Sequence, residues 1–234
     1  MATHTLIILQ ARTGSTRLPN KVLTPIQGIP LLTHCIRRLK QVAKTANVIV
    51  ATSTLPKDNE IVKLAQGEKV DCFRGSEKNA LDRFLEASKK YSGNFIIRAT
   101  ADNPLVDISE ARRLIKVITS GRWDYVSMIE KVGRNKLPEG VGLEAFSQSA
   151  LKKSWEKGRE PHHREHVNEY ILENQTKFKT KFLACLPENN CPELRLTIDT
   201  PEDMAFINSM LDEIGKPAIN LTTNEIIAWW NTKK

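Results

Sequence analysis

The sequence predicts a doubly wound α/β fold: a mostly parallel sheet covered on both faces by helices. Three observations carry this. Apolar runs without alternation recur at residues 5–10, 48–51 and 94–100, as strands buried on both faces do. Helix-period segments separate the strands at spacings of roughly 20 to 40 residues, as crossover connections require. A chain of 234 residues, 40% hydrophobic and 26% charged, closes a real core as one unit of one or two lobes. The same composition excludes a collagen-like repeat, a stapled mini-protein and a largely disordered tail.

Residues 5–10, Thr-Leu-Ile-Ile-Leu-Gln, form the expected central strand. Ala11–Lys21 is short, basic and rich in small residues, and Pro19 biases Leu18 away from helical dihedrals. Pro30 stands at a helix start, and Leu31, Leu32, Cys35, Ile36 and Leu39 recur at helical spacing. Val48–Ala51 is the next buried strand. It ends in Thr52-Ser53, and a helix follows from Asp58 to the region of Gln66. Residues 70–73 form a brief strand ending at Arg74-Gly75, and Leu81, Phe84, Leu85 and Ser88 share one side of a helix over Ala80–Lys90. Asn94–Thr100 is a third strong strand, closing on Ala101-Asp102-Asn103-Pro104. Ile108–Ile118 reads as a helix and Asp124–Ile129 as a strand.

Beyond residue 130 the rhythm changes. Lys131–Glu144 carries Gly133, Pro138, Gly140 and Gly142 and reads as loop plus a short extended piece. Ser147–Lys157 and Glu165–Asn174 read as helices, Lys177–Leu186 as a strand, and Leu194–Ile198 as extended. Thr200 caps a helix with Pro201 at its first position and Asp203 three residues past the cap, running through Met204, Ile207, Met210 and Leu211. Thr223–Trp230 is a final short helix. Neither an internal repeat nor a low-complexity linker divides the chain. Residues 1–234 therefore read as a single domain, with 131–190 as a small lobe inserted in the main sheet.

Lys and Arg number 35 against 27 Asp and Glu, a net +8 that invites an anionic partner: phosphates, a nucleotide or nucleic acid. Nucleic acid is the poorer fit, because the cations do not interleave with aromatic residues, which make up 6% of the chain. Cys35, Cys72, Cys185 and Cys191 form no CxxC pair and lack histidines at metal-site spacing. They read as free thiols in a reducing compartment, not as a disulfide framework or a structural zinc site. With no long apolar run and no signal-like N-terminus, the expected location is the cytoplasm, away from membranes.

The sharpest chemical feature is Gln10-Ala11-Arg12-Thr13-Gly14-Ser15-Thr16-Arg17-Leu18-Pro19-Asn20-Lys21. It follows the first strand directly, at the carboxyl edge where open sheets bind ligands. Gly14, Ser15 and Thr16 let backbone amides approach an anion. Arg12, Arg17 and Lys21 match a triphosphate's charge, with guanidinium forks gripping oxygens in pairs. The Walker spacing GxxxxGK[ST] and the GxGxxG fingerprint are both absent, and a solvated basic loop is the alternative. Asp102, just past a strand, suits magnesium, which takes few carboxylates plus phosphate oxygens; it would equally cap a turn with Asn103-Pro104. Arg195–Asp203 repeats the design, and Asp199 comes beside Asp102 if both strand ends face one crevice. Glu202 and Asp203 belong more naturally to the helix start, and a purely structural segment is the competing reading. His162-His163-Arg164-Glu165-His166 lacks metal-ligand spacing and forms either the sugar- or acid-binding end of the crevice or a solvated helix start. In Gly140–Glu144 the glycines permit close approach of a ligand and Glu144 would accept from hydroxyls; a plain hairpin accounts for the same residues.

Together these residues resemble the cytidylyltransferases related to CMP-acylneuraminate and CMP-KDO synthetases, nearest the branch of spore-coat polysaccharide synthesis proteins. The likeness runs nearly full length. It takes in Gln10–Lys21 with its Arg-Leu-Pro-x-Lys core, Gly28-x-Pro30-Leu31-Leu32, Ala51-Thr52-Ser53, Arg74-Gly75, Arg98–Pro104, Gly140 with Glu144, Glu165-His166-Val167 and Arg195–Asp203. It implies an α/β, Rossmann-like nucleotide-diphospho-sugar transferase fold. It implies a CTP pocket shaped by Gln10, Ala11, Arg12, Gly14, Ser15, Arg17 and Lys21, with Ala51, Thr52, Ser53 and Arg74. Lys21, Arg12 and Asp102 would be catalytic, Asp102 and Asp199 would hold Mg²⁺, and Asn103, Gly140, Glu144, Glu165, His166 and Arg195 would face the acceptor. The resemblance further implies a homodimer with part of the 131–190 lobe at its interface. The implied activity joins CMP from CTP to an anionic small molecule, an acidic sugar or a phosphate or phosphonate compound, and releases pyrophosphate. Glu139 stands where the branch often has aspartate, and Asn20 where glycine often precedes the lysine. The rival readings are use of another nucleoside triphosphate, since base choice rests on a few hydrogen bonds, and a descendant without activity. The latter would be expected to lack Lys21 or an aspartate, and both are present.

Overall fold

The computed structural model describes residues 4–15, 17–42 and 46–234. Its first strand, β1 (Thr5–Gln10), is buried almost throughout and pairs in parallel with β4 (Ala46–Ser53) on one side and β6 (Phe95–Thr100) on the other. Between β1 and β4 lie a two-residue hairpin, β2 (Pro25–Ile26) and β3 (Ile29–Pro30), and helix α1 (Leu31–Val42). Gln27 and Gly28 turn this hairpin with φ of 47° and 77°, the pair of positive values that a tight primed turn needs. Helix α2 (Asn59–Gly67) leads to β5 (Asp71–Gly75), and α3 (Ala80–Lys90) to β6. Helix α4 (Ile108–Ile118) then precedes β7 (Tyr125–Ser127), the short α5 (Glu130–Gly133) and β8 (Glu144–Ser147). The remainder is α6 (Gln148–Lys157), α7 (Pro161–Glu165), α8 (Glu169–Glu173), β9 (Thr180–Phe182), α9 (Pro201–Ile214) and α10 (Thr223–Asn231).

The principal sheet has seven strands in the order β5-β4-β1-β6-β8-β7-β9. β8 runs antiparallel to both of its neighbours, and the other pairings are parallel. Alternation along β1 sends Ile7 and Leu9 into a core with Ile36 of α1, Leu114 of α4 and Ile207 of α9. Leu6 and Ile8 enter a second core with Phe84 of α3, Leu151 of α6 and Ile171 of α8. Helices thus cover both faces. The chain leaves β1 toward β4 and β5, then crosses to β6 on the other side, so the topological switch lies between the carboxyl ends of β1 and β6.

The second half departs from its sequence reading in three places. The piece over Lys131–Glu144 carries α5, and the strand β8 begins at its last residue. The helix expected over Glu165–Asn174 is confined to α8; α7 precedes it and ends at Glu165, and His166 between them has an extended backbone (φ −110°, ψ 110°). The strand expected over Lys177–Leu186 is confined to β9. Segment 131–190 supplies β8 and β9 to the principal sheet, so hydrogen bonding makes it continuous with the rest. The four cysteines are free thiols, and burial pushes Cys72 up to about 11. Among the described residues no helix is long and apolar enough to cross a membrane.

Candidate active site

At the switch point the last residue of β1, Gln10, stands opposite Ala51 of β4 and Thr100 of β6. The loop that follows is held from below. The Thr13 amide donates to Asp58 Oδ1 at 2.9 Å and the Thr13 hydroxyl at 2.7 Å, while Ser53 donates to the other oxygen of Asp58. Burial pushes the Asp58 carboxyl up, but the hydrogen bonds from Ser53 and Thr13 outweigh it and hold the group below the ordinary carboxylate value. The loop closes on itself as the Asn20 amide donates to the Thr13 carbonyl at 3.1 Å. Asn20 adopts φ 58°, a left-handed conformation open to glycine and asparagine and costly for most residues. A 3₁₀ turn, Lys21–Leu23, begins immediately after it.

That turn delivers Lys21 to the second element of the site. The Lys21 ammonium lies 3.3 Å from Asp102 Oδ2 and 2.9 Å from Asp199 Oδ1, and donates to the Ile198 carbonyl at 2.8 Å. Asp102 follows β6 and accepts from the Thr100 hydroxyl; its own carbonyl accepts from the Ile198 amide at 2.9 Å, binding the two acidic segments together. Asp199 precedes α9, where Thr200 and Asp203 form a reciprocal capping box. Arg17 reaches Asp199 Oδ1 at 3.0 Å and Arg195 reaches Oδ2 at 2.9 Å. Burial raises the Asp199 carboxyl, but the Lys21 hydrogen bond and charge, with Arg195 and Arg17, bring it below its ordinary value. It is therefore ionised at neutral pH.

A cavity of about 440 Å³ opens here. Gln10, Ala11, Arg12, Gly14, Ser15, Arg17 and Lys21 line it together with Asp102, Asp199, Glu165 and His166. Arg12 donates to the Glu77 carbonyl at 2.8 Å, so in this state its fork leans on the neighbouring loop. Thr16 lies outside the described residues.

Other expected contacts are placed elsewhere, each for a physical reason. Ala51, Thr52 and Ser53 are fully buried at the end of β4, beneath the loop and not on the cavity wall; Ser53 helps to fix Asp58. Arg74 spends its guanidinium on the Ser53 and Leu55 carbonyls and Asn59, bracing the β4 turn. Gly140, at φ 97°, abuts Thr197: a Cβ there would lie 2.7 Å from the Thr197 nitrogen, so this glycine serves chain packing. Glu144 is fully buried inside the sheet and offers nothing to a ligand's hydroxyls. Arg195 binds Glu139, Asp199 and Asp203, and acts as a brace behind the aspartate. Asn103 faces a smaller adjoining cavity of about 220 Å³.

The histidine cluster divides. His166 lines the main cavity, whereas His162 and His163 turn their Nε2 atoms to Glu173 at 2.7 and 2.6 Å. The Glu160 amide donates to His163 Nδ1 at 3.2 Å, so the proton of neutral His163 sits on Nε2 and that nitrogen donates to Glu173. Three potential ligand atoms lie close together there, but this tautomer is wrong for holding a metal through Nε2. Sequence reasoning missed Asp58 as the loop's anchor and gave Arg98 no role. Arg98 was the one charged residue in the otherwise apolar run Phe-Ile-Ile-Arg-Ala-Thr, a signal that something buried must pair with it.

Comparison with known proteins identifies the family and the fold. The cytidylyltransferase family model matches residues 6–222. An uncharacterized protein of Methanocaldococcus jannaschii is 42% identical over 84% of this chain and 78% of its own. The spore coat polysaccharide biosynthesis protein SpsF of Bacillus subtilis is 33% identical over 97% of this chain and 93% of its own. The solved structure of a cytidylyltransferase from Leptospira borgpetersenii superimposes with a TM-score of 0.91 at 29% identity, covering 99% of this chain and 95% of that one. The architecture is the mixed α/β, Rossmann-like nucleotidyltransferase fold, with a mostly parallel core sheet.

Proposed function

This chain belongs to the cytidylyltransferase family, and on that premise we propose that it transfers CMP from CTP to an acidic sugar, or to a related phosphate or phosphonate acceptor, with Mg²⁺ and release of pyrophosphate. The observation that carries the reading is one ammonium, Lys21, within 3.3 Å of both Asp102 and Asp199 at the mouth of a cavity whose other rim is the Arg12–Arg17 loop. The name of the SpsF relative, which speaks of polysaccharide biosynthesis, supports a sugar-derived acceptor.

An acceptor oxygen attacks the α-phosphorus of CTP, the bond from that phosphorus to the bridging oxygen breaks, and pyrophosphate leaves. No covalent enzyme intermediate is needed, so positioning and charge stabilisation do most of the work. Lys21 turns from the carboxylates to the α-phosphate oxygens and meets the charge growing there. Arg12 and Arg17 hold the β- and γ-phosphates and ease departure of the leaving group. Asp102 and Asp199 suit Mg²⁺: they are two carboxylates gathered around one cation beside space for phosphate oxygens, the donor set that this ion takes. When bound, the ion would neutralise polyphosphate charge and polarise the reacting phosphate.

The test is a panel of the four common nucleoside triphosphates with Mg²⁺. It reads melting temperature first, then pyrophosphate release against candidate acidic sugars and phosphonates. CTP is expected to raise the melting temperature most and to support release. A larger shift with another nucleotide refutes the base assignment.

A further inference from the structure

We infer that Arg98, presented by the buried carboxylate of Glu144, is the subsite that takes the anionic group of the acceptor. This rests on the cytidylyl-transfer reading and adds a residue to it. In β6 Arg98 stands directly opposite Glu144 of β8, and its Nη1 donates to Glu144 Oε1. The other oxygen, Oε2, accepts from the Tyr125 hydroxyl and from Asn168 Nδ2, the latter at 3.1 Å. Burial and the charge of Glu144 push the Tyr125 hydroxyl well above its ordinary range, so it stays a donor. Both oxygens of Glu144 are therefore engaged within the protein. The carboxylate holds one edge of the guanidinium and leaves the other.

That other edge is unspent. Arg98 Nε is buried without a partner, and among the described residues Nη2 has no hydrogen bond. A buried unpaired donor is costly, and the Nε–Nη2 edge is a planar fork matched to two oxygens of a carboxylate or a phosphoryl group. Arg98 lines the main cavity with Thr100, Asp102, Glu165 and His166. It stands on the β6–β8 flank, whereas the basic loop is anchored through Asp58 on the β4 flank. The three cations of the loop are matched to the triphosphate. The fork of Arg98, which enters the cavity from the β6–β8 flank, is left for the second substrate. Glu144 is a positioning residue, and Asn168 couples it to the wall that carries His166.

The test uses the full chain saturated with CTP and Mg²⁺, and repeats each titration without nucleotide. Acetate and lactate probe the carboxylate class, inorganic phosphate and methylphosphonate the phosphoryl class, each against chloride at equal ionic strength. One class is expected to add a further rise in melting temperature in the wild type. Arg98→Lys keeps the charge and loses the fork; it is expected to weaken that anion at least tenfold while the CTP shift is retained. Arg98→Gln combined with Glu144→Gln keeps the pair hydrogen-bonded and neutral, and guards against a folding defect; it is expected to lose the anion shift likewise. Glu144→Gln alone is expected to weaken the anion and leave the CTP shift in place. The inference is overturned if no anion gives a shift, if the shift survives in both Arg98 variants, or if those variants lose the CTP shift, which would place the fork in the nucleotide site. Absence of any CTP shift in the wild type overturns the cytidylyl reading instead, and the nucleotide-free titrations then still decide the role of Arg98.

Discussion

Lys21 is the pivot of the site. Two carboxylates brought from remote parts of the chain meet its ammonium, and Asp199 is held further by Arg17 and Arg195. Lys21→Ala removes a cation aimed at charge that grows in the transition state, worth about 2–4 kcal/mol in such sites. The turnover number is expected to fall by more than tenfold while the far-ultraviolet spectrum and cooperative melting persist. A variant with normal turnover removes Lys21 from the chemistry. At the neighbouring position, Asn20 sits at φ 58°, and asparagine, like glycine, tolerates the left-handed backbone that swings Lys21 inward.

At the scale of the element, the basic loop has its shape because Asp58 accepts from Thr13 and Ser53. Asp58→Asn would set an amide donor against those donors, so a loss of about 1–3 kcal/mol in urea unfolding is expected, with weaker CTP binding. The Asp58 carboxyl lies below its ordinary 3.8 in the fold, so the folded state binds this proton less tightly than the unfolded chain. Its contribution is complete above that value and is lost as pH falls through the lower folded one. The wild type should lose this stability in that acid window, and Asp58→Asn should show a shallower acid slope. Gly142 fixes another element: a Cβ there would lie 1.8 Å from the Met128 carbonyl, where β7 ends beside the start of β8. Gly142→Ala should cost at least about 2 kcal/mol in the same unfolding assay. Elements with strong local signals were legible. Ile108–Ile118 reads as a helix and Ala80–Lys90 carries a mixed helical pattern with one apolar side, and the capping box at Thr200 announced α9. β8 was not, because four residues that include Glu144 and Ser147 resemble a loop until tertiary pairing buries the glutamate. The break between α7 and α8 was equally silent, since residues 166–168, where it falls, contain neither proline nor glycine.

The whole molecule places chemistry where the sheet reverses its order. The loop after β1 supplies the cations and the turn after β6 one acid; the segment leading into α9 supplies the other, from far along the chain. The loop and both aspartates were readable from sequence because each follows a strand-like run directly. Contacts that the resemblance implied, such as Arg74, Glu144 and Arg195, are bound instead to neighbouring protein groups that no local pattern announces. The most direct measurement is a crystal structure with CTP and Mn²⁺, with the metal located by its anomalous scattering. The arrangement predicts an anomalous peak between Asp102 and Asp199, the triphosphate along Arg12–Arg17, and the Lys21 ammonium moved onto phosphate oxygens. A nucleotide seated instead in the separate cavity of about 540 Å³ beside Arg112 and Asn220, or a metal away from both aspartates, would contradict it.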